Sequence, residues 1–240
     1  MTLNGVKNIM KYFCSNNIFR IAFNKLIKHR VQITFIMFLL WIPTQLLFIL
    51  ITLIMKNNGI VKGTYLYNIV QSLFYEFRTI INGFITMSLT IILINDSDRI
   101  NIKQSLINSF KRLYDWFIGS LYLWFKTVLY GLCVFIPGIY KYTQLSLFEF
   151  IVIDKNSEGY DACIESSKIT KSHWWYTFGA LTFGLILNLF MEYILLILEK
   201  DASILLLIIL LPISKVICSY GIIIRYCAYQ RLKNLTTAST

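Results

Sequence analysis

A chain of 240 residues that is 57% hydrophobic, 16% aromatic and only 15% charged departs from the soluble norm, where about a quarter of residues carry charge. Its apolar residues gather into runs near the roughly 20 residues that cross a bilayer as helix, which argues against a water-soluble globular fold and for helices packed in lipid. The net charge of +11 lies in short flanks to these runs, with no zinc, helix-turn-helix or RNA-binding motif beside it, so it excludes nucleic acid as the expected partner and favours anionic headgroups.

Residues 1–30 are expected to form a cytoplasmic amphipathic segment. Ile9, Met10, Phe13, Phe19, Ala22, Phe23 and Leu26 fall at helix-like spacing with Lys and Arg between them, interrupted by Ser15-Asn16-Asn17. That pattern suits helices lying in the membrane interface. The apolar run that follows begins too late and runs too long for a secretory signal, and no small-x-small cleavage site follows it, so it is expected to be retained as a span.

Residues 31–225 hold six expected spans: Val31 to Met55, Thr79 to Ile94, Trp116 to Ile136, Tyr140 to Ile153, His173 to Leu198 and Ser203 to Ile224. The fourth is shorter than the roughly 17 to 25 residues usual for a crossing, and is expected to be short, tilted or re-entrant. Residues 226–240 form a cytoplasmic tail. The expected fold class is all-α, a polytopic transmembrane helical bundle of about six spans with basic amphipathic interfacial helices. With the N-terminus inside, Lys7, Lys11, Arg20, Lys25, Lys28, Arg30, Arg99, Lys103, Lys111, Arg112, Lys155, Lys168, Lys171, Arg225, Arg231 and Lys233 are cytoplasmic. Only Lys56, Lys62, Arg78, Lys141 and Lys200 face the other side, as the positive-inside rule requires. Both termini are thus expected in the cytoplasm of a multi-pass cell-membrane protein.

Phe19 to Arg30, Ser105 to Trp116 and Ala162 to Trp174 each feed a span that a second span follows. Interface anchoring accounts for this rhythm as well as internal duplication does. The third segment is expected to be a solvated helix capped by Asn156-Ser157, with Glu158 and Asp161 in its first turns, Lys168 and Lys171 in its last, and a Glu165 to Lys168 pair. It either orients span five or docks a partner or headgroups. Trp174, Trp175 and Tyr176 are the expected interface anchors of span five, and Arg225, Tyr226 and Tyr229 those of span six.

Pro137 and Gly138 mark a structural turn, since proline lacks the amide donor and glycine relaxes the backbone. The expected form is a tight outer turn between spans three and four; a broken helix lining a cavity is the sharper alternative. Charges inside the spans are the best pointer to function: Lys126, Glu149, Glu192 and Lys215. Because an intramembrane charge costs a few kcal/mol or more, such groups face the bundle interior and pair. The expected pairs are Lys215 with Glu192 and Lys126 with Glu149, serving either helix packing or a polar path.

The cysteines at 14, 133, 163, 218 and 227 form no C-x-x-C pair and read as apolar packing residues. His29 and His173 lack a ligand framework for a metal. No Walker A loop, H-E-x-x-H or G-x-S-x-G occurs, so neither catalysis nor a cofactor is expected.

The run Phe135-Ile136-Pro137-Gly138-Ile139-Tyr140-Lys141-Tyr142, followed by Ala162, Glu165-Ser166-Ser167-Lys168 and Trp174-Trp175-Tyr176-Thr177-Phe178, resembles the YciC-type group of uncharacterised bacterial integral membrane proteins. That group is related to the membrane domain of some glycerophosphodiester phosphodiesterases. The resemblance rests on roughly forty residues. It implies a multi-helix bacterial membrane protein and carries over no enzyme activity. The expected function is a non-catalytic role in envelope organisation, lipid interaction or docking of a protein partner or a second copy. The alternative is a transport component, such as a six-helix ABC-type permease subunit served by a separate ATPase.

Overall fold

The computed structural model describes residues 18–59, 63–95, 101–133, 135–199 and 204–237; expectations for residues 1–17, Lys62, Arg99 and Lys200 lie outside the described residues. The regular structure is helical throughout them: α1 (Ile18–Lys28), α2 (Arg30–Asn57), α3 (Tyr65–Asn95), α4 (Ile102–Lys111), α5 (Leu113–Cys133), α6 (Phe135–Leu145), α7 (Phe148–Asp154), α8 (Gly159–Lys171), α9 (Trp174–Glu199) and α10 (Ile204–Thr237). Three stretches are long and apolar enough to cross a membrane: Arg30–Met55 of α2, Tyr65–Asn95, which is α3, and Trp174–Ile194 of α9.

The helix expected to start at Thr79 starts at Tyr65. Glu76 and Arg78 lower the hydropathy of its first half, but Leu66, Ile69 and Leu73 keep helical spacing through it and remain exposed. In contrast, its last turns from Ile85 to Leu93 are buried on every face by neighbouring helices. Large apolar side chains are also exposed along α2, at Phe35, Leu39 and Leu50, and along α9, at Leu185, Leu189 and Phe190. Contiguous apolar surface of this extent belongs against lipid or another protein.

The segment expected as span four is two helices, α6 of 11 residues and α7 of 7, broken at Ser146-Leu147. The break is held by hydroxyls. Ser166 Oγ of α8 donates to the Gln144 carbonyl at 2.8 Å and accepts the Leu147 amide at 3.2 Å, while Thr170 Oγ1 donates to the same carbonyl at 2.9 Å. Side-chain partners of this kind satisfy backbone groups that a helix end leaves open.

Pro137 occupies the first turn of α6, where a missing amide costs little. Gly138 then lets α6 fold back tightly on α5, since a Cβ there would lie 2.9 Å from the Gly131 Cα. The expected turn therefore takes the form of a close α5–α6 hairpin.

The turn and the Glu165 to Phe178 segment, expected on opposite faces of a membrane, approach one another in the structure. Trp174 Nε1 donates to the Tyr140 carbonyl at 3.1 Å and the two rings stack at 5.4 Å, which puts both segments together. The helix α8 is solvated on one face only, through Tyr160, Asp161, Lys168 and Lys171. Ala162, Cys163, Ser166, Ile169 and Thr170 are buried, and Cys163 Sγ donates to the Gly119 carbonyl of α5 at 3.4 Å. Gly159 sets the crossing, because a Cβ there would fall 1.9 Å from the Asp115 carbonyl oxygen. The capping expectation also fails. Glu158 is the cap residue and makes no side-chain cap bond, Ser157 Oγ donates to the Ile151 carbonyl at 3.3 Å, and Glu165 pairs with Lys155 instead of Lys168. Asn156, at φ 56°, makes the turn into α8, a backbone conformation that asparagine tolerates well.

The longest helix, α10, packs against α9, α1 and α2. Tyr220 of α10 donates its hydroxyl to the Phe19 carbonyl of α1 at 2.8 Å. Tyr226 and Tyr229, expected at the membrane boundary, are buried, with Phe150 of α7 stacked on Tyr229 at 5.9 Å between centroids.

Candidate functional site

A cavity of about 580 Å³ lies between α2, α3, α9 and α10, with Trp116 of α5, Tyr142 of α6 and Glu149 of α7 completing its wall. The charged residues of its lining form two groups. In the first, Glu192 Oε1 of α9 stands 3.7 Å from Arg78 Nη2 of α3 and 3.9 Å from Lys215 Nζ of α10. Both cations also lie 5.1 Å from the ring centre of the buried Trp41 of α2. Cation–π attraction of this kind strengthens when the cation is desolvated, so Trp41 anchors the two basic heads on one indole.

In the second group Glu149 Oε2 stands 3.6 Å from Arg225 Nη1, and Trp116 Nε1 donates to Glu149 Oε1 at 3.5 Å. Glu149 Oε2 is buried and accepts no hydrogen bond. The four ion-pair and hydrogen-bond distances all exceed the 2.7 to 2.9 Å or so of a tight charge-assisted bond. These charges attract one another and still retain hydrogen-bonding capacity for a further polar group. Access differs between them: the Glu192 side chain is 54% exposed and that of Lys215 only 10%. Glu192 is the most exposed member of its group, Arg78 is intermediate at 33%, and Lys215 is largely enclosed.

The structure brings Glu149, Glu192 and Lys215 to one cavity and realises the expected Lys215 to Glu192 pair. It separates Lys126, which sits over the Tyr122 ring at 5.5 Å and lines a different pocket. Glu149 finds Arg225 in its place, because α7 packs beside α3 and against α10 through Phe150, carrying Glu149 away from the exposed side of α5. Arg78 and Arg225 were missed as site residues. Each borders an apolar run in the sequence and so reads as a flank, but α3 extends before Arg78 and α10 continues to Thr237. The apolar spacing of Leu66, Ile69 and Leu73 was the available signal for Arg78.

Of the expected interface anchors, Trp175 is exposed, Trp174 stacks on Phe178 at 5.0 Å, and Tyr176 is buried with Arg231 5.7 Å over its ring. Among the described residues no three His, Cys, Asp or Glu side chains gather as a metal site. No protein-family model, curated protein or solved structure matches the chain.

Proposed function

We propose that this chain is a multi-pass, non-catalytic membrane protein that receives the polar end of an amphiphilic molecule in the cavity between α3 and α9. The observation that carries the reading is the convergence of Arg78, Glu192, Lys215, Glu149 and Arg225 on one cavity among apolar helices. Charges within a membrane protein are costly, and they persist where they face a cavity and each other. Three cations against two anions favour an acidic or zwitterionic guest. Exposed Leu73, Phe77, Leu185 and Leu189 on the flanking helices offer its apolar part a surface.

On the same reading α2, α3, α9 and α10 cross the bilayer, and α1 with α4 to α8 packs at its cytoplasmic side. Roughly 20 residues of crossing helix counted from the α2–α3 and α9–α10 connections bring α3 to about Phe84. That is where its exposed apolar side chains give way to the fully buried turns. In α10 the crossing stretch is Ile204 to Ile224. The six expected spans thereby reduce to four, with α5 to α8 entering and leaving on one side. Lys141 joins the cytoplasmic charges and Arg78 falls within the crossing stretch of α3, which leaves Lys56, Lys62 and Lys200 outside and sharpens the charge asymmetry. Both termini are cytoplasmic, and the resemblance to the YciC-type group supports a bacterial cell membrane.

The second reading is a transport component that works with a separate ATPase, favoured by the loose bridging of Glu192 between cations on two helices. The test is to purify the full chain in mild detergent and identify what accompanies it. An acidic or zwitterionic amphiphile lost from the Arg78→Gln and Lys215→Gln variants supports the first reading. A co-purifying nucleotide-binding subunit supports the second, and an amphiphile content unchanged by both substitutions overturns the first.

A further inference from the structure

A separate pocket of about 320 Å³ lies between α5, α6 and α8, away from the charged cavity. Lys126 of α5, Lys141 of α6 and Lys168 and Lys171 of α8 all line it, together with Tyr122, Tyr130 and Ser167, and no carboxylate is among its lining residues. Two of the ammonium groups are held in place: Lys126 lies 5.5 Å from the Tyr122 ring centre and Lys141 5.2 Å from that of Tyr130. Lys141 Nζ also donates to Gln144 Oε1 at 3.0 Å. Tyr122 is itself fixed edge-on against Tyr160 at 4.9 Å. Of the two acids of α8, Glu165 is engaged by Lys155 and Asp161 is not among the lining residues.

Four like charges facing one volume repel, and the repulsion grows where protein walls reduce screening. Tyrosine faces orient two of these charges without neutralising them. An anion that accepts several N–H donors at once relieves the repulsion, and phosphate, a common partner of lysine point charges, is the chemistry that fits. The source of the phosphate follows from the helix that supplies Lys126. Tyr122, Lys126 and Tyr130 recur every fourth residue along α5, and the adjoining stripe of Leu121, Phe125 and Leu129 is exposed. A free phosphate ion leaves that apolar stripe unused, whereas a phospholipid lays its acyl chains along it.

We propose that the pocket of Lys126, Lys141, Lys168 and Lys171 binds the phosphate of an anionic phospholipid whose acyl chains lie on the Leu121–Phe125–Leu129 face of α5. This rests on the reading of α5 to α8 as a layer at the cytoplasmic face of a membrane, where headgroups are within reach.

The test is native mass spectrometry of the detergent-solubilised full chain titrated with phosphatidylglycerol and, separately, with phosphatidylcholine. Phosphatidylglycerol is expected to be retained at least about tenfold better, and the advantage to disappear in the Lys126→Gln/Lys141→Gln/Lys168→Gln/Lys171→Gln variant. The corresponding four arginine substitutions keep it, and Lys103→Gln/Lys111→Gln, on another surface, leaves it intact. Should the fourfold glutamine variant fail to fold, Lys126→Gln/Lys168→Gln is read instead, with a loss of at least about threefold expected. Equal retention of the two lipids, an equal loss in the Lys103/Lys111 control, or displacement of phosphatidylglycerol by equimolar inorganic phosphate overturns the proposal. The Arg78→Gln variant separates the two sites: it loses the cavity's guest and keeps the lysine pocket's selectivity.

Discussion

The indole N–H of Trp174 donates to the carbonyl oxygen of Tyr140 at 3.1 Å, joining the start of α9 to the middle of α6. In a four-crossing arrangement both residues lie on the cytoplasmic side. With the native cysteines replaced by alanine, Lys141→Cys and Lys171→Cys should therefore react with an impermeant maleimide from the same face of sealed vesicles. Asn58→Cys, between α2 and α3, should react from the other face. Labelling of Lys141→Cys from the face that labels Asn58→Cys would sink the arrangement and restore an outer turn at Pro137.

What the sequence made legible was set by range. The helical class, the helices long and apolar enough to cross a membrane, and the Lys215 to Glu192 pair follow from hydropathy and the cost of a charge in lipid, which act residue by residue. The partner of Glu149 did not follow. Arg225 lies far along the chain, and its approach depends on the break at Ser146-Leu147, which in turn depends on Ser166 and Thr170 of another helix. Lys126 misled for a related reason. It is expected beside Glu149, but the pocket it lines is made by α6 and α8 folding beside α5.

Glu192 holds two cations, so its loss should be felt mainly through Lys215. Glu192→Gln leaves Lys215 and Arg78 over the same indole with no counter-charge between them. Thermal unfolding in detergent should show Glu192→Gln and Lys215→Met each destabilising, and the double variant less destabilised than the sum. The coupling should be about 1 kcal/mol, not the larger value of a fully buried pair, because the Glu192 side chain is 54% exposed. Strict additivity would mean that the pair contributes nothing to folding.

Gly159 tests the α5–α8 crossing. A Cβ there would meet the Asp115 carbonyl oxygen at 1.9 Å and the Gly119 amide nitrogen at 2.5 Å, both backbone atoms that no rotamer change can move aside. Gly159→Ala should cost about 1 to 3 kcal/mol or more and weaken lipid selectivity at the lysine pocket, whose walls it would spread. Gly131→Ala is the control: a Cβ there meets nothing within 4 Å, and alanine favours helix by up to about 1 kcal/mol. Equal melting temperatures for the two variants would show that α8 does not cross α5 this closely.

Tyr229 links α7 to the C-terminal part of α10, and it gives stability a dependence on alkaline pH. Its hydroxyl donates to Asp154 Oδ2 at 2.5 Å, and Lys233 Nζ reaches the same oxygen at 2.5 Å. Burial, and then the hydrogen bond to Asp154, raise the phenol above its ordinary value of 10.0. The folded chain therefore keeps a proton that the unfolded chain releases above pH 10. The stabilisation is fully present below that pH and is lost as pH rises further, by up to about 1.4 kcal/mol per unit. Tyr229→Phe should lower stability by about 2 kcal/mol at pH 8, since the bond is to a charged acceptor. The difference between the parent and the variant should be constant from pH 8 to just below 10 and shrink above it. A difference that holds unchanged to pH 11.5 in detergent unfolding curves would mean that Tyr229 is not protonated preferentially in the folded state, and that Asp154 is held to α10 by Lys233 alone.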